Sequence, residues 1–272
     1  MNEIKLVALD IDDTLVDHSS VLSERNKRAL QAAMAAGVYV VLSTGRATLG
    51  AKMISDQITT NAPVICYGGG VIMDPNFETI LKSRYMDPAD VRLVIETGYA
   101  MGLHVQIYQG DDVVFKAANE FTHIYTSVQR LPWHEEPGMP DCDLSNVPKV
   151  LMFAMPDVWL ETAAKLREML PAHLNVLVSK KGFIEIGDAH CTKGTALGDI
   201  CAMLNVPREN SAAIGDNTLD ESMIIWAGTG CCVENGNPHT KDIADLILPS
   251  CQEDGVAWFI ENYVFSAERK AR

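Results

Sequence analysis

The segment Lys5-Leu-Val-Ala-Leu-Asp-Ile11 is almost continuously apolar and gives way abruptly to carboxylates. A strand that is apolar on both faces must be covered on both, as a parallel strand is between two layers of helix. Val38-Tyr-Val-Val-Leu-Ser43 and Pro63-Val-Ile-Cys-Tyr67 repeat the pattern. Between the first two runs, Ser23 is placed to cap a helix with Ala29, Leu30, Ala33 and Met34 on one face and Gly37 at its end. Strand and helix alternating in this way predict an α/β fold, a doubly wound, mostly parallel sheet of the Rossmann-like kind.

The pattern then changes. Gly68-Gly-Gly70 and Asp74-Pro-Asn76 punctuate short hairpin-like strands. A helix is expected over 88–101, strands over 104–108 and 113–115, and an irregular stretch over 131–148, where four prolines fall. Strand 150–155, helix 157–170 and strands 175–178 and 183–186 complete an α+β block. After Asp188 the earlier alternation returns, with helices over 193–204, 219–227, 238–244 and 255–263 and strands over 211–214, 230–233 and 246–248. The organisation this implies is a core made of 1–82 and 189–272, interrupted by an inserted α+β cap domain over 83–188.

With 36 acidic against 22 basic residues, the chain has a formal net charge of -14. That argues against a nucleic-acid partner, since phosphate backbones select Lys/Arg surfaces. A phosphate ester would need a local cation. No apolar run approaches the roughly 18 residues needed to span a bilayer, and no signal peptide is expected. Seven scattered cysteines without a CxxC pair read as reduced thiols, and hence a cytoplasmic protein.

Four segments carry polar chemistry, each ending a predicted core strand or opening a core helix, where ligands bind in open α/β sheets. Asp10-Ile-Asp-Asp-Thr-Leu15 crowds carboxylates at the end of a buried strand, a conflict that a divalent cation such as Mg2+ resolves. An Asp-rich turn is its plainer reading. Ser43-Thr-Gly-Arg46 offers a hydroxyl, a close backbone approach and a guanidinium to a phosphoryl oxygen, or is simply a turn. In Thr192-Lys-Gly-Thr-Ala196, Thr192 as N-cap puts Lys193 in a first turn, where the dipole disfavours a cation by roughly a few tenths of a kcal/mol. A residue wrong for its place invites a functional reading beside that of a solvated lysine. Gly215-Asp-Asn-Thr-Leu-Asp220 could supply metal oxygens or helix caps.

In this order the four segments resemble the haloacid dehalogenase-like hydrolase superfamily, in particular its Cof-like branch of sugar-phosphate phosphatases. The resemblance extends over essentially the whole chain, including the late Asp254-Gly-Val-Ala257. It implies a magnesium-dependent phosphatase acting on a small phosphorylated metabolite through an aspartyl phosphate. Asp10 would be the nucleophile, and Asp12 the acid that protonates the leaving group and then activates water. Thr44 and Lys193 would bind the transferring phosphoryl group, with Gly45 and Arg46 lining the pocket. Asp10, the Asp12 carbonyl and Asp216 would hold the metal, supported by Asn217 and Asp220.

Three positions depart from the pattern: Asp13 and Gly68 replace the usual Gly and Asn, and Leu219 stands where Asn normally precedes the final Asp. The alternatives are a phosphomutase and a phosphometabolite-binding protein without turnover. The absence of membrane spans argues against a pumping ATPase of the same superfamily. The histidines at 18, 104, 123, 134, 173, 190 and 239 lack metal-ligand spacing. Cys231-Cys232 reads as packing, His134-Glu-Glu136 as a polar loop, and Lys180, Lys181, His123 and Tyr125 as surface residues within possible reach of a substrate. The oligomeric state is not readable.

Overall fold

The computed structural model describes residues 3–17, 20–129, 131–179 and 181–265. The chain opens with β1 (Leu6–Leu9), fully buried, then α1 (Glu24–Ala35), capped by the Ser23 side chain on the Asn26 amide. Next come β2 (Tyr39–Leu42), α2 (Thr48–Ile58), β3 (Val64–Cys66), β4 (Val71–Met73) and β5 (Ile80–Ser83). The insertion holds α3 (Pro88–Ala100), β6 (His104–Gln109), β7 (Asp112–Phe115), α4 (Glu120–Gln129), β8 (Trp133–Glu135), β9 (Val150–Phe153), α5 (Trp159–Met169), β10 (Leu174–Val178) and β11 (Phe183–Asp188). The chain closes with α6 (Lys193–Met203), β12 (Ser211–Gly215), α7 (Glu221–Trp226), β13 (Thr229–Val233), α8 (Pro238–Ile243), β14 (Leu246–Leu248) and α9 (Gly255–Phe259). A π-helical turn over Ile260–Val264 continues α9.

Two compact units result. One comprises Met1–Arg46, Ala51–Lys82 and Thr192–Arg272, the other Ala47–Gly50 and Ser83–Cys191. The first is built on a five-stranded parallel sheet, ordered β14-β13-β12-β1-β2. Its buried strands pack through Leu6, Ala8, Val41 and Ala213 against Ala196, Leu197 and Ile200 of α6. The second is a six-stranded sheet ordered β10-β11-β9-β6-β7-β8, antiparallel except for the β7–β8 pair. Val105, Ile107, Val150, Met152, Ile184 and Ile186 point to one face and pack on Val91, Val94 and Ile95 of α3 and Ala163 and Leu166 of α5. This is the period-two alternation of a sheet with distinct faces.

Several expectations need correcting. The third run is not a full member of the parallel sheet: β3 pairs antiparallel with β4 and meets the end of β2 only through a parallel bridge, Ser43 to Ile65. Helices α2 and α4 occupy 48–58 and 120–129, where the sequence pattern predicts none. The stretch 131–148 is not wholly irregular, and His134 and Glu135 belong to β8. That strand is exposed along its length at the sheet edge, so it carries no apolar alternation to announce it.

Candidate active site

β1 lies between β2 and β12, in parallel with both, with Leu9 opposite Leu42 and Ile214. The residues that follow these strands therefore leave the sheet at one edge. These are Asp10, Thr44 and Asp216, so three of the four sequence segments meet for a purely topological reason.

The fourth is brought in by α6. Thr192 caps it by accepting from the Thr195 amide, and Lys193 takes the first helical position. Its side chain is 1% exposed and donates to Asp10 Oδ1 at 2.6 Å and to Asp220 Oδ1 at 2.5 Å. Two glycines allow this placement. A Cβ on Gly194 would lie 2.3 Å from the Ser222 carbonyl oxygen, and one on Gly69 2.4 Å from that of Thr192. The N-terminus of α6 thus packs directly on backbone from both sides.

Asp220 precedes α7 but does not cap it. Its carboxylate turns back, with Oδ2 accepting from the amides of Asp216 and Asn217 at 3.0 and 3.1 Å. A Cβ on Gly215 would collide with that carboxylate, 2.5 Å from its Cγ, so glycine is what lets the loop close on itself. Asp216 accepts at Oδ1 from Thr14 Oγ1 at 3.2 Å and from Asn217 Nδ2 at 2.9 Å.

Carboxylate oxygens of Asp10, Asp216 and Asp220 lie within 4.8 Å of one another, the sole such group of acidic, His or Cys ligands among the described residues. Three carboxylates against one ammonium leave two negative charges uncompensated in a buried site. This crowding disfavours the ionised carboxylates. Burial, then the neighbouring Asp220, lifts Asp10 to about 7 despite Lys193, and burial with Asp220 and Asp10 lifts Asp216 to about 9. Desolvation works against the Lys193 charge, but the Asp10 and Asp220 carboxylates more than offset it and raise the ammonium above its ordinary range. Asp220 is fully committed to its lysine and two amides, whereas Asp10 Oδ2 is buried with no hydrogen-bond partner. An orphaned carboxylate oxygen, a second carboxylate beside it and a net charge of minus two when all three are ionised fit a hard divalent cation.

The Asp12 carboxylate lies outside this acidic group. Arg46 grips it with two parallel bonds, Nε to Oδ2 and Nη2 to Oδ1, both 2.8 Å. Thr44 is buried; its Oγ1 accepts from the Arg46 amide at 3.1 Å, and its carbonyl accepts from the Gly68 amide. Gly45 sits between them in the same turn.

The three departures now have physical readings. Asp13 and Gly68 both sit in the left-handed region, at φ 60° and 66°. Glycine, Asn and Asp are the residues that tolerate that region, so the exchanges keep the backbone path. Leu219 presents its backbone N–H to Asn217 Oδ1, and the amide group that supports Asp216 comes from Asn217.

Thr14, Ser222 and Asn235 were not singled out as site residues. Thr14 stands inside the first motif and donates to Asp216; Ser222 Oγ accepts from the Gly194 amide at 3.1 Å; Asn235 Nδ2 donates to the Asp13 carbonyl at 2.7 Å. Only Thr14 carried a signal, through its place in the motif. Of the residues set aside, His123 and Lys181 are exposed, the Tyr125 hydroxyl pairs with that of Tyr108 at 2.5 Å, and His18 and Lys180 lie outside the described residues. No helix among the described residues is long and apolar enough to cross a membrane.

The family model of haloacid dehalogenase-like hydrolases matches residues 7–260, and the chain belongs to that family. It is 30% identical to the phosphatase YwpJ of Bacillus subtilis, over 95% of this chain and 99% of the relative. It is 28% identical to the 5-amino-6-(5-phospho-D-ribitylamino)uracil phosphatase YcsE of the same organism, over 96% of each. A haloacid dehalogenase-like hydrolase from Bacteroides thetaiotaomicron superposes with a TM-score of 0.84 at 25% identity, covering 96% of this chain and 99% of its own. Named phosphatases spanning the full length are consistent with a phosphoric monoester hydrolase.

Proposed function

We propose that the protein is a magnesium-dependent phosphatase that hydrolyses a small phosphomonoester through an aspartyl phosphate on Asp10. The observation that carries the reading is the buried Asp10 itself: one oxygen is held by Lys193, the other is buried without a hydrogen-bond partner, and the Asp216 carboxylate lies close by. A carboxylate held in that way is oriented for attack along one direction.

The Asp10 carboxylate attacks phosphorus in line as the ester oxygen departs, and Asp12 delivers the proton that the leaving alkoxide needs. The Asp12 carboxylate then removes a proton from water, which attacks the aspartyl phosphate, releases inorganic phosphate and restores Asp10. Arg46 keeps Asp12 oriented through its two bonds, and the buried Thr44 and Lys193 would donate to the phosphoryl oxygens. Mg2+, held by Asp10, Asp216 and the Asp12 carbonyl, would neutralise phosphoryl charge and favour ionised carboxylates. Asp220 and Asn217 act as supports.

A substrate of the sugar- or polyol-phosphate class is favoured because the relative YcsE is named for a phosphorylated ribityl compound. The test is inorganic phosphate release from a panel of phosphomonoesters, with Mg2+ or chelator, comparing the native chain with Asp10→Asn. Magnesium-dependent release that the substitution abolishes is expected. Release that survives in Asp10→Asn would remove the aspartyl phosphate from the scheme.

A further inference from the structure

Two asparagine side chains join the loop carrying Asp10 and Asp12 to a segment more than 230 residues away in sequence. Asn26, buried in the first turn of α1, donates from Nδ2 to the Leu15 carbonyl at 3.1 Å and accepts at Oδ1 from the Ala257 amide at 2.9 Å. Asn235, two residues beyond β13, donates to the Asp13 carbonyl at 2.7 Å and accepts from the Cys251 amide at 2.8 Å. Each side chain spends its donor on the catalytic loop and its acceptor on residues 251–257. A carboxamide can bond a backbone carbonyl and a backbone N–H at once without bringing a charge, which no carboxylate or ammonium can do.

The far end of this tether is itself fixed. Asp254 adopts the left-handed region at φ 58°, and its Oδ1 accepts from Ser23 Oγ at 2.5 Å. A Cβ on Gly255 would lie 2.0 Å from the Pro249 carbonyl oxygen, so the segment packs without slack. Near the catalytic loop, the bonds of the Leu15 and Val16 amides to the Ile11 carbonyl form a tight local turn. That turn sets the shape of the loop, and the two asparagines set its position.

We infer that Asn26 and Asn235 are positioning residues that hold Asp12 in register with Asp10, with residues 251–257 as their anchor. The catalytic consequence rests on the phosphatase reading given above; the tether itself does not. Asn235 is exposed, so Asn235→Ala is the principal variant, and Asn26→Asp, which keeps the acceptor and loses the donor, is the second.

Two measurements test the inference. Amide hydrogen exchange over residues 12–16 should quicken in both variants while β12 keeps its protection; unchanged exchange in the loop overturns the tether. In parallel, kcat/KM is measured on an alkyl phosphomonoester and on p-nitrophenyl phosphate, whose leaving group scarcely needs an acid. A misplaced Asp12 lowers kcat/KM for the alkyl ester roughly 10- to 100-fold, and for the aryl ester no more than roughly threefold. Equal losses on both esters would show a general disturbance and overturn the positioning of Asp12. Native chain inactive on either ester would defeat the phosphatase reading, and the exchange result would then decide the tether alone.

Discussion

At the residue scale the site is governed by a shortage of positive charge. Lys193 serves two buried carboxylates, while Asp216 is held by the neutral side chains of Thr14 and Asn217. Removing the ammonium in Lys193→Met would strand Asp10 and Asp220, and breaking a buried pair of this kind costs roughly 3–5 kcal/mol. Chemical denaturation should show that loss, and turnover of the folded variant should fall roughly 10²- to 10³-fold with the phosphoryl donor gone. A fully stable variant would mean that the carboxylates are protonated in the native protein. The pH dependence has a definite sign. Asp10 and Asp216 have folded values raised above the ordinary 3.8, to about 7 and about 9. Their contribution to stability is therefore fully present below the unfolded value and is lost as pH rises through 7 and 9. Metal-free protein in chelator should lose stability across that window, and Asp216→Asn should flatten the upper part of the curve. A profile identical to the native one would contradict the burial argument for Asp216.

At the element scale, the glycines decide whether helices reach the site. Gly194 and Gly69 let the N-terminus of α6 lie against backbone, and Gly215 leaves room for the Asp220 carboxylate. The expected effect of Gly194→Ala is a loss of about 1–3 kcal/mol, since a Cβ 2.3 Å from a carbonyl oxygen must displace a helix. Lys193 would shift with it, so kcat should fall more than KM changes; steady-state kinetics and thermal unfolding of the same preparation check both. The elements easiest to read from sequence were those with a strong burial pattern. β1 and β12 are buried at every position, and α6 announces itself through the Thr192 cap. β8 is exposed throughout and α2 has no acidic residue in its first turn, so their residues carried little local signal.

At the scale of the whole molecule, the parallel pairing of β1 with β12 joins segments some 200 residues apart and places Asp10 beside Asp216. A cation bound there would bind the folded state alone, because the unfolded chain does not assemble these carboxylates. Mg2+ at 100 times its dissociation constant should then add about 2.7 kcal/mol, a shift in Tm of several degrees. Scanning calorimetry with Mg2+ and with chelator measures it, and the shift should vanish in Asp216→Asn. An equal shift in that variant would place the cation elsewhere.

Sequence alone was enough to determine the residue types and their order along the chain. Asp10, Asp12, Thr44, Lys193 and Asp216 stand at strand ends or a helix start because buried strands and capped helices write their boundaries in local composition. That such segments converge on one edge of a parallel sheet also follows from pattern, since strand direction is common to them all. Tertiary structure alone decided which partner each side chain takes. Nothing local in the sequence says that Asp220 folds back on the amides of Asp216 and Asn217, that Arg46 holds Asp12 with both nitrogens, or that Asn26 and Asn235 reach the loop from opposite ends of the chain. The Arg46 and Asn235 pairings are made across sequence separations that periodicity cannot see, and the fold-back of Asp220 depends on a close approach that glycine at 215 permits.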